Sequence, residues 1–345
     1  MLKAQNAILG ALALTVAIAA PPVLAKGDVD GLEQAFDRVF SSGATRPPQP
    51  AVLLPRQNPT GINGFEARLA QLAGASQGRI GVAAVDLSSG RGVSVMGDQP
   101  FPLASTGKIA VVATFLEGVD QGRYKLSDRF PLMMPVPSAR FSTAVAPVRP
   151  GAMLSAEQLI ELAITRSDNH ATDALLAAMG GPQVVTRWLR RNGINGIRLD
   201  RDIATMVRDD GEVDPARKID LRDSTTPQAM AVLLAGLYQG QWLSAQSREV
   251  LLGAMARCRT GIHRMRAALP GDAMVGHKTG TLSNTSSDVG LIRSSDGRTI
   301  AVAIYVTGQG GKPGRDQRIA SITRAIYDGY QAEPAADLAM IGGSR

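Results

Sequence analysis

Phe101-Pro102-Leu103-Ala104-Ser105-Thr106-Gly107-Lys108 is the stretch at which the chain changes character. Downstream of it, as far as about residue 257, apolar residues recur mostly at helical spacing, with clear runs at 108–118, 155–165, 171–179 and 227–237. Upstream, 79–87 and 92–96 read as strands parted by the turn residues Ser88-Ser89-Gly90, and an amphipathic stripe of Phe65, Leu69 and Leu72 precedes them. From 273 onward strand patterning returns at 273–278, 288–293 and 299–306, and a last helix follows over about 317–330. Strands from both chain ends thus flank a helical middle. The expected fold class is α+β and sandwich-like: an antiparallel sheet built from both ends of the chain, with flanking helices, beside an all-helical lobe.

Within the quoted stretch Ser105 and Lys108 stand one helical turn apart on one face, within reach of each other. A lysine so placed acts as a base once partial burial and a neighbouring cation lower its ammonium pKa. Pro102 and the small Ala104 fit a tight approach to that helix, and the Ser105 N–H at its start suits half of an oxyanion hole. Two further strings carry chemistry, Ser167-Asp168-Asn169 and Lys278-Thr279-Gly280. The first lies between two helices. There Ser167 offers a hydroxyl that can pass a proton to a leaving nitrogen, Asn169 offers a donor and an acceptor to Lys108 and a substrate amide, and Asp168 suits buried backbone donors. Read alone, the string is equally a helix N-cap before 171–179. The second ends a strand, so alternation puts Lys278 and Gly280 on one side, and Gly280 lets a ligand approach the backbone. Lys278 and Thr279 suit a substrate carboxylate, and the Thr281 N–H is the natural second oxyanion donor. Read alone, this is an edge strand with an exposed lysine. The order and spacing of all three strings together favour the chemical reading.

The three strings resemble the set shared by class A β-lactamases and penicillin-binding proteins, and the resemblance extends over roughly 61–330. It implies a serine hydrolase that opens β-lactam amides through an acyl-Ser105 intermediate. Ser105, Lys108 and Ser167 are then catalytic, and Asn169, Lys278, Thr279, Gly280 and Thr281 bind substrate. Arg198-Leu199-Asp200-Arg201 and Arg222-Asp223-Ser224-Thr225-Thr226-Pro227 look like the two ends of that family's omega loop, with Arg201 and Asp223 paired across its neck. Phe141 is similar in placement to an aromatic that guards the cleft, and Arg315 is the arginine expected to clamp a substrate carboxylate. The sequence departs from the family where its water-activating glutamate belongs, because that position is Ile203, and an expected asparagine a few residues on is also missing. The loop is longer as well, with 204–221 intervening before Arg222; counting back from Asp223 brings Asp210 near the place of the base, with Asp209, Glu212 and Asp214 close by. A positioned base is worth about 10²- to 10⁴-fold in rate, so slow deacylation is expected. The alternatives are a cell-wall D-Ala-D-Ala peptidase or penicillin-binding protein, and a module that holds a β-lactam or muropeptide without turnover. An intact Ser105, Lys108 and Ser167 argue against mere holding.

Composition sets the context. Of 345 residues, 1–25 read as a secretory leader, with Lys3, an apolar run at 7–20 and a cleavage site at Val23-Leu24-Ala25. Residues 26–60 read as an extension with a short helix at 29–41 and a proline-rich linker, 61–331 as the hydrolase domain and 332–345 as a tail. A periplasmic or secreted monomer with no membrane span after cleavage is expected. The formal charge of +7 becomes +6 without Lys3 and comes from scattered arginines rather than a basic stripe with aromatics, so the partner expected is a small-molecule β-lactam or a peptidoglycan stem peptide and not nucleic acid. Cys258 is the single cysteine, which excludes an intramolecular disulfide and suggests a buried, inert thiol. His170, His263 and His277 form no ligand-spaced cluster, so neither a metal nor another cofactor is expected, and His277 reads as structural.

Overall fold

The computed structural model describes residues 64–74 and 77–332. The leader, the extension with its helix and linker, residues 61–63 and the tail from 333 lie outside the described residues. In chain order the elements are α1 (Gly64–Leu72), β1 (Ile80–Asp86), β2 (Gly92–Val95), β3 (Phe101–Pro102), a 3₁₀ turn (Ala104–Gly107) and α2 (Lys108–Asp120). Then come β4 (Arg129–Pro135), β5 (Val148–Ser155), α3 (Ala156–Thr165), α4 (Asn169–Met179), α5 (Pro182–Arg191) and α6 (Ile203–Arg208). The chain continues through β6 (Ser224–Thr225), α7 (Pro227–Gln239), α8 (Ala245–Ala256), β7 (Met274–Leu282), β8 (Thr285–Arg293), β9 (Thr299–Thr307) and α9 (Lys312–Gln331).

The main sheet runs β2-β1-β9-β8-β7 with every pairing antiparallel, so strands from both ends of the chain do join in one sheet. Its central strand β9 is buried on both faces, which explains its continuous apolar run. Ile300, Val302, Ile304 and Val306 pack with Leu69 of α1 and Ile319, Ile322 and Ile326 of α9, while Ala301, Ala303 and Tyr305 face the helical lobe. Each such side chain taken from water stabilises by roughly 1.5–3 kcal/mol. The stripe read at Phe65 and Leu69 belongs to α1: Phe65 meets Tyr330 of α9 edge-on at 5.3 Å, and Leu69 is buried.

The lobe differs from expectation in one respect. Between α2 and α3 it carries the hairpin β4–β5 rather than helix. Pro131, Pro135, Pro137, Pro147 and Pro150 explain this, since a helix interior loses a hydrogen bond at each proline whereas a two-stranded ribbon with a register shift near Pro131 accommodates them. The helices α5 and α8, not singled out from periodicity, complete the lobe around the largely buried α2.

Candidate active site

Ser105 lies where the lobe meets the sheet. The turn Ala104–Gly107 begins with Ala104 at φ 47°, a left-handed conformation that reverses the chain sharply before α2. The turn is held from several sides. Leu103 N–H donates to Asp223 O at 2.8 Å, and the Thr106 hydroxyl bridges Leu103 O and the Tyr305 hydroxyl of β9. Gly107 is required there, since a Cβ would stand 2.6 Å from the Leu103 side chain.

Lys108, the first residue of α2, is 0% exposed. Its Nζ donates to Ser167 O at 2.6 Å, to Asn169 Oδ1 at 2.7 Å and to Ser167 Oγ at 3.3 Å, which engages all three ammonium protons. Burial, and then the charge of Lys278, hold its pKa well below the ordinary lysine value, against the opposing pull of Asp168 and Asp173. Ser167 sits at φ 58°, a strained turn that brings both its carbonyl and its hydroxyl onto Lys108. Asp168 is the N-cap of α4, accepting from Ala171 N–H at 2.8 Å, as the sequence suggested for this aspartate.

The facing wall is β7. A Cβ on Gly280 would stand 3.0 Å from Ala104 Cβ, so the strand runs directly against the turn that bears Ser105. Lys278 is not the exposed lysine of an ordinary edge strand: it is fully buried, donates to Thr279 O at 2.9 Å, and is lowered to about 8, chiefly by burial. Thr279 and Thr281 point to the opposite side of the strand from Gly280. The Thr279 hydroxyl is 2.6 Å from Thr260 Oγ1, and Thr281 Oγ1 accepts from Arg264 at 2.8 Å.

Arg264, which the sequence did not single out, lies buried beside the end of β7. Its guanidinium also donates to Gly280 O and Ser287 O and pairs with Asp316 at 2.7 Å. Arg315, expected to clamp a substrate carboxylate, donates to Ser286, Asn284 and the carbonyls of Gly308 and Gly310, so it fastens the loop before α9. The only sequence signal for Arg264 was its place shortly before β7.

The omega-like loop closes at its neck as expected, with Arg201 Nε and Asp223 Oδ2 at 2.6 Å. Asp223 Oδ1 adds the N–H groups of Asp200 and Arg201. Ile203 opens α6 and is only 3% exposed. Its N–H and that of Ala204 donate to the two carboxylate oxygens of Asp173, at 2.7 and 2.8 Å. Burial pushes this carboxyl up to about 7 despite those two hydrogen bonds. Asp173 went unnoticed in the sequence because nothing local marks a mid-helix aspartate as a loop anchor.

The four acids considered as substitutes for the glutamate are otherwise engaged. Asp209 pairs with Arg208 and accepts the Phe141 N–H, while Asp210 accepts the Ser283 N–H with both oxygens. Glu212 pairs with Arg222 at 2.7 Å, and Asp214 meets Asn284 and Arg217. Phe141 stands on the rim, 53% exposed.

Residues 64–330 match the beta-lactamase enzyme family. A beta-lactamase of Streptomyces albus G is 33% identical over 235 residues, covering 67% of this chain and 73% of that protein. The solved class A beta-lactamase of the last common ancestor of Gram-negative bacteria is 37% identical, with a TM-score of 0.66 over 77% of this chain and 99% of that one. A beta-lactamase from Chitinophaga pinensis is 26% identical, with a TM-score of 0.68 over 78% of this chain and all of the other.

Proposed function

The chain belongs to the beta-lactamase enzyme family and is a class A-like serine hydrolase, and from that premise we propose that it opens β-lactam amides through an ester on Ser105. Ser105 Oγ attacks the lactam carbonyl carbon while its proton passes to Lys108 Nζ. The oxyanion so formed takes hydrogen bonds from the Ser105 and Thr281 N–H groups. The C–N bond then breaks, and Ser167, resupplied by Lys108, hands a proton to the departing nitrogen. Asn169 orients the substrate amide, Gly280 lets β7 close on the turn that bears Ser105, and Lys278, Thr279 and Arg264 attract its carboxylate. The observation that carries this reading is the buried Lys108 amine, depressed in basicity and held on Ser167 and Asn169 three residues from Ser105.

Deacylation is the slow half of the cycle. Ile203 supplies no base, and the nearby loop acids are committed to other partners. This same feature favours, as a second reading, a wall-peptidase-like enzyme that holds β-lactams as long-lived esters. Incubation with a chromogenic cephalosporin, with intact mass taken during the reaction, tests both: a burst of one equivalent followed by slow turnover supports the hydrolase, a permanent adduct the second reading, and no adduct refutes both. The protein acts as an exported monomer in this proposal, freed of its leader after Ala25.

A further inference from the structure

Behind β7 runs a buried chain of side chains that the proposed hydrolysis does not use. Cys258, 2% exposed, follows α8, and its Sγ lies 3.3 Å from Thr260 Oγ1. Thr260 Oγ1 is in turn 2.6 Å from Thr279 Oγ1. Beyond the sulfur stands His277, whose Nδ1 is 2.8 Å from Asp288 Oδ1, while Asp288 Oδ2 accepts Met265 N–H. Gly290, opposite His277 across the ladder, leaves the room this arrangement needs, since a Cβ there would stand 2.8 Å from His277 Cβ. His277 Nε2 is fully buried without a hydrogen-bond partner, and Cys258 is the neighbour that acts on it besides Asp288.

Two hydroxyls in series have only two possible directions, because each carries one proton. We propose that the proton on Cys258 sets the direction of the Cys258–Thr260–Thr279 chain, and thereby decides whether Thr279 offers the substrate a hydrogen-bond donor. With the thiol intact, S–H donates to the Thr260 hydroxyl at 3.3 Å rather than to the more distant Thr260 carbonyl at 3.9 Å, Thr260 donates to Thr279, and the Thr279 proton is free for a substrate carboxylate. When the thiol loses its proton to solvent, the thiolate takes the Thr260 proton and the vacant His277 Nε2–H as donors. Thr279 then turns inward to Thr260 and shows the carboxylate only lone pairs. Cys258 is on this account a positioning residue, and the assignment rests on the hydrolase reading above, in which Thr279 meets the carboxylate.

The surrounding charges favour the switch at neutral pH. His277 and Lys278 come from β7, Asp288 from β8 and Arg264 from the segment before β7, the last held by Asp316. Arg257 at the end of α8 is paired with Glu161, and Arg266 donates to Ala256 O. Burial alone raises the thiol, but His277, Thr260 and Lys278 outweigh it and bring it down to about 7. Burial lowers the His277 imidazole, but Asp288 first and Cys258 after it outweigh that and push it up to about 10, so it is an imidazolium throughout this range.

The test is the second-order acylation constant of the full-length protein with a chromogenic cephalosporin, followed from about pH 6 to about pH 9. In the wild type it falls about tenfold as pH rises through about 7, the loss of one hydrogen bond to a charged group, with a further fall near 8 from Lys278. The deacylation rate does not share the first fall. Thr260→Val keeps Cys258, His277 and Lys278 but cuts the chain, so the fall near 7 vanishes and the fall near 8 remains. Persistence of both falls in that variant overturns the relay, as does acylation of the wild type at a rate that does not change through the first fall. The ultraviolet absorbance of the thiolate supplies a readout independent of substrate: it rises through about 7 in the wild type and not in Cys258→Ser, and its absence from the wild type refutes the relay. A thiolate titration without any adduct at any pH refutes the hydrolase reading instead, and with it the consequence for substrate.

Discussion

Replacing Asp173 with asparagine should change stability in a pH-dependent way whose sign is unusual for a carboxylate. The folded carboxyl is held near 7 against an ordinary 3.8 because it is buried. The native state therefore binds the proton more tightly than the unfolded chain, so its contribution to stability is fully present below about 4 and is lost as pH rises through about 7. At ~1.4 kcal/mol for each pH step, the charged form costs about 4 kcal/mol once fully ionised. Asparagine removes that cost. It also turns one of the two acceptors facing Ile203 and Ala204 into a donor, which costs about 1–3 kcal/mol at any pH. The constant penalty cancels when two pH values are compared. Urea unfolding at about pH 5 and about pH 8 should show Asp173→Asn gaining about 2–3 kcal/mol relative to wild type across that interval. A mutant-minus-wild-type difference that is the same at both pH values, or that moves in the opposite direction, refutes the claim that a costly buried charge anchors the start of α6.

Ser105→Ala should abolish every covalent adduct with a penicillin by intact mass while the far-ultraviolet spectrum is unchanged; an adduct in that variant removes Ser105 from its role. Lys108→Ala should slow acylation by about 10²- to 10⁴-fold, the loss of a general base, as read by stopped-flow. Ile203→Glu should shorten the life of the acyl-enzyme, measured as the steady rate after the burst. Glu212→Gln should leave that rate unchanged, because Glu212 is spent on Arg222. Arg264→Ala should lower stability by about 1–3 kcal/mol in urea unfolding, because it leaves the buried Gly280 and Ser287 carbonyls without this donor while Asp316 keeps Lys312; its weaker acylation should then appear even under conditions where the fold is retained.

Sequence periodicity carried the sheet and most of the lobe, because the continuous apolar run of 299–306 and the helical spacing in 108–118 are written into adjacent residues. The three motif strings were legible for the same reason: each is a short run whose local geometry, a turn into a helix, an N-cap or a strand end, follows from its own residues. The failures were of another kind. The hairpin β4–β5 escaped because its prolines argue only against helix and do not say which ribbon partner is found. Arg264 and Arg315 were indistinguishable as arginines near a strand or helix, and only the packing of 264 beneath Gly280 and Thr281 separated them.

The sequence by itself determined the α+β class and marked Ser105, Lys108, Ser167, Asn169 and the Lys278-Thr279-Gly280 strand as the candidate site, with Ile203 where the family resemblance leads one to expect an acid. Tertiary structure alone decided that Lys108 and Lys278 are both buried, that the acids at 209–214 are tied to Arg208, Ser283, Arg222 and Asn284, and that Asp173 and Cys258 occupy electrostatically loaded positions. The reason is physical: a residue's type and spacing set which bonds it can make, whereas its charge state and its partner depend on dielectric surroundings and on neighbours far away in the chain, which exist only after folding.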